Sequence, residues 1–123
     1  MSQSDSDLFE RAASVAERAY APYSELKVGA AVRTHDGRVF EGVNVESAAY
    51  PLGMCAERVA IARAIAEGET PDAFEAIAVT QVPCGGCRQW LRELDLHRVT
   101  YPGPDGNLVT CTPEELLPAA FEL

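Results

Sequence analysis

A chain of 123 residues, 47% of them hydrophobic, can build one sheet-and-helix core and is too apolar to stay disordered. Its formal charge of −9 argues against nucleic acid or an anionic membrane as a partner, because no basic stripe exists to displace counterions. There is no secretory signal pattern and no run of membrane-spanning length, so the four cysteines favour metal binding or catalysis over disulfides in a cytoplasmic protein read as one domain over residues 1–123.

Helical and extended patterns alternate along the chain. Asp5 or Ser6 can cap a first helix reaching about Tyr20, with Leu8, Ala12, Val15, Ala16 and Ala19 on one stripe and Pro22 ending it. Residues 28–34 and 39–45 read as strands joined by an Asp-Gly turn. A helix should start near Cys55 and stop at Gly68, followed by a strand over 74–80. A further helix should start near Cys84 and carry Trp90, Leu91 and Leu94. Short strands around 99–101 and 108–110 flank a Pro-Gly-rich turn. Thr112 as N-cap and Pro113 at the first helical position open the last helix. This order predicts a layered α/β domain around one five-stranded sheet.

The chemistry concentrates in two motifs. The first is Met54-Cys55-Ala56-Glu57-Arg58, and the second is Pro83-Cys84-Gly85-Gly86-Cys87-Arg88-Gln89. Cys84 and Cys87 are three apart, so both sulfurs can face one way in a first helical turn. All three cysteines fall at expected helix amino termini, where the dipole favours thiolate over thiol. Three thiolates can hold Zn²⁺ and leave its fourth tetrahedral position open, as a catalytic site requires. Such a centre sums to −1, so Arg58 and Gln89 are read as donors that draw charge from the sulfurs. Glu57 is free to move protons, provided that Cys55 sits at the very start of its helix.

Other readings remain open on these residues alone. A closed structural site would need Cys111 or His97 as a fourth ligand, and a lone C-x-x-C also suits redox chemistry. Cys111 reads as a buried small hydrophobe, His35 as an exposed turn residue, and Trp90 as core or interface.

Together with Ala21-Pro22-Tyr23-Ser24, Val28-Gly29-Ala30-Ala31, Asn44-Val45-Glu46, Ala49-Tyr50-Pro51-Leu52-Gly53 and Glu115-Leu116-Leu117-Pro118 before Phe121, these motifs make the chain resemble the small homotetrameric cytidine deaminases over nearly its whole length. The resemblance implies a three-layer α/β/α domain with a mixed five-stranded sheet. It implies Cys55, Cys84 and Cys87 as zinc ligands and Glu57 as proton shuttle for hydrolytic loss of ammonia from cytidine and deoxycytidine, as in pyrimidine salvage. It further implies Asn44 and Glu46 on the ribose 3′-hydroxyl, with Ala56 and Leu26 against the nucleoside. Phe121, read from the sequence alone as core of the last helix, would instead enter a neighbouring subunit's pocket. Tyr50 would make an intersubunit contact.

The chain departs from that family in two places. Leu26 stands where phenylalanine is usual, and the stretch between Thr80 and Pro83 is shorter, which suggests tolerance of N4-substituted nucleosides. A blasticidin-type substrate is a second enzymatic reading, and a zinc-stabilised interaction module is the non-enzymatic one. Polynucleotide editing is disfavoured by the charge.

Overall fold

The computed structural model describes residues 4–122. Five strands form one sheet in the order β2-β1-β3-β4-β5, with β1 at Gly29–Thr34, β2 at Val39–Val43, β3 at Phe74–Val79, β4 at Arg98–Pro102 and β5 at Leu108–Cys111. The sheet is mixed. β1 runs antiparallel to both β2 and β3, β4 runs antiparallel to β5, and only β3 and β4 are parallel, with Ile77 opposite Val99. Parallel neighbours need a crossover, which α3 (Gly85–Glu93) supplies.

Every residue of β1 is buried because both faces of the sheet are covered. On one face Leu8 and Ala12 of α1 (Asp5–Val15) pack against Ala31, Ala76 and Ala78. On the other face Ala60, Ile61 and Ala64 of α2 (Ala56–Ala66) and Leu91 of α3 pack against Ala30, Val32, Ile77 and Val99. Alternation along β1 thus sends Ala30 and Val32 one way and Ala31 the other. The result is the three-layer α/β/α arrangement.

Small residues let the layers approach closely. A Cβ at Gly29 would lie 1.9 Å from the Ala12 carbonyl oxygen, and one at Gly42 would lie 2.3 Å from the Ala60 nitrogen. Both helices rest on the sheet backbone itself, which holds the start of α2 in a fixed position.

Several boundaries differ from the sequence expectations. Ser4, not Asp5 or Ser6, caps α1 by accepting from the Asp7 amide, so the helix begins one residue earlier. It gives way to a 3₁₀ turn at Ala16–Arg18 and ends before Tyr20, because Tyr20 leaves it to bridge Val45. The last helix, α4 (Pro113–Leu116), is a single turn closed by reciprocal bonds between Thr112 and Glu115. Phe121 therefore lies beyond it and is 67% exposed, so it is not a helix core residue. Cys111 is half-buried on edge strand β5 rather than enclosed, and Trp90 is exposed beside the fully buried Leu91. No helix among the described residues is long and apolar enough to cross a membrane.

Candidate active site

The amino termini of α2 and α3 converge at one end of the sheet. Cys55 is the N-cap of α2, with extended backbone (φ −76°, ψ 154°), and Cys84 is the N-cap of α3. Cys87 follows one turn into α3, where its amide donates to the Cys84 sulfur at 3.4 Å. Because Cys55 lies just outside the helix, Glu57 can share its side of the helix end, which regular helical spacing would forbid.

The three sulfurs lie within 4.8 Å of one another, and Cys55 Sγ is 3.7 Å from Cys84 Sγ. A tetrahedral ion with metal–sulfur bonds of about 2.3 Å requires sulfurs about 3.8 Å apart, a spacing the Cys55–Cys84 pair already has, and three soft thiols are a donor set that suits zinc. Among the described residues this is the one group of three or more candidate ligands close enough to share an ion. His97 and Cys111 are not in it, so a closed four-ligand site is not built.

Protonation in the cluster is unequal. A hydrogen bond from Cys87, assisted by the Arg58 guanidinium, lowers the Cys55 thiol to about 5, while that same bond and burial push Cys87 well up. Sulfurs that must share protons at this spacing are a natural host for a dication. Arg58 Nη2 donates to Cys55 Sγ at 3.3 Å, as its position beside Glu57 suggested, and its buried Nε has no partner among the described residues.

Gln89 behaves differently from expectation. Its amide nitrogen donates to the Phe121 carbonyl and to Glu93, and its amide oxygen accepts the Phe121 N–H. It clamps the carboxy-terminal segment and does not reach the thiols.

Glu57 is 4% exposed yet borders the cleft that contains Cys55 and Cys84. Burial, followed by the negative charge on Cys55, raises its carboxyl to about 7. A group so poised can both take and return a proton near neutral pH. The cleft holds about 340 Å³, and Leu26, Asn44, Glu46, Ala56 and Arg58 also line it. Phe121 is not among its walls.

Asn44 and Glu46 stand on an extension of β2 held by the Tyr20–Val45 and Val45–Met54 bridges. The Asn44 side chain accepts from the Val28 amide and donates to the Leu26 carbonyl, both at 2.8 Å. Glu46 accepts from the amides of Tyr23 and Ser24 and from the Ser24 hydroxyl, and the Ser24 bonds hold its carboxyl below the usual range. Ser24 thus organises the cleft wall together with Glu46. No local pattern in the sequence signals this role for Ser24, since its partner lies 22 residues away.

Residues 2–102 match the model of the cytidine and deoxycytidylate deaminase zinc-binding region. The chain belongs to this deaminase family. It is similar to the cytidine deaminase of Halalkalibacterium halodurans, with 42% identity over 120 residues covering 93% of this chain and 91% of that one. It is also similar to the cytidine deaminase of Sporosarcina psychrophila, at 38% identity over 85% of this chain and 82% of the relative. Among solved structures, the cytidine deaminase of Burkholderia pseudomallei superposes with a TM-score of 0.88 at 44% identity, covering 97% of this chain and all of the other. Zinc is the metal of the family region matched, and the deaminase fold accounts for all five strands and four helices described above.

Proposed function

We propose that this chain is a zinc-dependent cytidine deaminase that converts cytidine and deoxycytidine to uridine and deoxyuridine by adding water and releasing ammonia. The observation that carries the reading is a three-sulfur centre at two helix amino termini with a buried, proton-exchanging glutamate in the same cleft. Cys55, Cys84 and Cys87 would hold the ion, and zinc bound there supplies the Lewis acidity that makes water nucleophilic at neutral pH.

The rest of the chemistry falls to side chains. Glu57 takes a proton from the incoming water, delivers it to N3 of the pyrimidine, and carries the next one to the departing amine. Its low exposure keeps bulk water from competing for those protons. Arg58 withdraws charge from Cys55 and so offsets the excess negative charge of three thiolates.

Asn44 and Glu46 retain the groups that a sugar hydroxyl needs. A carboxylate offers about four acceptor positions and a primary amide two donor hydrogens. Glu46 uses three acceptor positions and Asn44 one donor hydrogen within the chain, which leaves an acceptor and a donor for one hydroxyl. Ala56 and Leu26 form the apolar wall against the base.

The same reading makes the enzyme a cytoplasmic homotetramer of nucleoside salvage. Tyr50 and Leu52 are 79% and 73% exposed next to the cleft, and the exposed Phe121 is tethered by Gln89 in a form ready to enter a neighbour's site. An apolar rim of this kind calls for a protein partner. Ammonia release from cytidine, measured with zinc content and sedimentation of wild type and Glu57→Gln, tests all of this. The variant should stay folded, zinc-loaded and tetrameric while losing at least about 100-fold in rate. An active variant, or a wild type inert toward cytidine, refutes the proposal.

A further inference from the structure

The chain has two histidines, and the fold brings both together at the end of the sheet opposite the thiols. His35 follows β1 and His97 precedes β4, and these strands flank β3 on its two sides. The His35 amide donates to the Ala73 carbonyl and the His97 amide to the Glu75 carbonyl, so both residues are pinned to the entrance of β3. The cysteine centre lies past the other end of β3, a separation of roughly 20 Å for six residues of extended chain.

The imidazole rings are 5.0 Å apart between centroids and tilted by 58°. Stacking contact alone would leave their spacing unremarked, but a shared ion makes a specific demand. Metal–nitrogen bonds of about 2.0 Å at a tetrahedral angle put two ring centroids about 5 Å apart. A shallow cavity at the pair is also lined by Asp72, Glu93 and Asp95. Glu93 accepts from the Gln89 amide and Asp72 from the Thr70 hydroxyl, so these carboxylates supply negative charge at the rim and not ligands. Such a rim concentrates cations at the imidazoles.

We propose that His35 and His97 form a second site for a divalent transition metal, distinct from the cysteine centre, with Asp72, Glu93 and Asp95 as its anionic rim. Two neutral imidazoles suit Zn²⁺, Ni²⁺ or Cu²⁺, and solvent completes the coordination. The site is weaker than the three-thiolate one and fills only after it. An ion there ties the β1–β2 hairpin to the start of β4 across β3, stabilising the end of the sheet remote from the cleft.

Zinc-loaded protein, titrated with further Zn²⁺ in a calorimeter, is expected to take up a second equivalent. His35→Ala and His97→Ala should each weaken that event at least tenfold while keeping the first equivalent. In the wild type the same titration should shift the ring resonances of His35 and His97 together, a readout that needs no variant. No second uptake up to millimolar zinc overturns the proposal. So does a second equivalent that persists in either variant, or ring resonances that stay in place as it binds.

Discussion

Gly42→Ala is a test of how the fold holds the site. The added methyl would lie 2.3 Å from the Ala60 nitrogen, 2.5 Å from the Ala56 carbonyl oxygen and 2.8 Å from the Ala60 Cα. All three are backbone atoms of α2, so no side chain can rotate away. Ordinary carbon contacts begin near 3.5 Å, and relief therefore requires α2 to retreat from β2 by roughly 1 Å. Gly42 does not sit in the left-handed region, so the cost is steric and not conformational. Overpacking of this kind typically costs about 1–3 kcal/mol, and immovable partners put this case at about 3, or roughly 10 °C in Tm. The retreating helix carries Cys55 and Glu57, whereas Cys84 and Cys87 stay with α3. A displacement of about 1 Å can cost about 100-fold in rate. Thermal unfolding, zinc content and cytidine turnover measured together would check this. Gly85→Ala, where an added methyl meets nothing within 4 Å, is the control expected to keep its stability. A Gly42→Ala protein within about 1 kcal/mol of wild type and fully active would refute the reasoning.

Three further outcomes follow from the same geometry. Removing zinc with a chelator should lower the Tm, since an ion held at 1,000 times its Kd contributes about 4 kcal/mol, and readdition should restore both Tm and turnover. Arg58→Ala should weaken zinc binding by about 10- to 100-fold, read by competition with a chromophoric chelator, with Arg58→Lys intermediate because it keeps the charge but not the planar fork. Glu75, held below the usual carboxylate range first by its hydrogen bond from Arg33, contributes stability above the unfolded pKa near ~4.3 and loses it as pH falls through its folded value. Glu75→Gln should therefore be less stable than wild type at pH 7, and denaturation midpoints of the two should converge in acid.

Much of the fold was legible because its signals are local. The element order, the Asp-Gly hairpin turn, and the caps at Cys55, Cys84 and Thr112 each depend on residues within a few positions of one another. The cysteine spacing likewise pointed to a metal centre before any geometry was known. What stayed hidden depends on partners distant in the chain. Gln89 looked like a thiol donor from its place in the motif, yet Phe121 holds its amide, 32 residues away. Cys111 reads as core in the sequence, but the strand order puts β5 at the edge, where one side of the strand has no neighbouring strand among the described residues.

By itself, then, the sequence determined the two cysteine motifs that form the candidate metal centre and the elements that bear them, because capping, periodicity and ligand spacing are short-range properties of the chain. Only the tertiary structure decided that Cys55 meets Cys84 at 3.7 Å, that burial poises Glu57 near neutrality, and that His35 finds His97. Distances between separate elements and the dielectric around a carboxylate are set by how layers pack, and no local pattern encodes them.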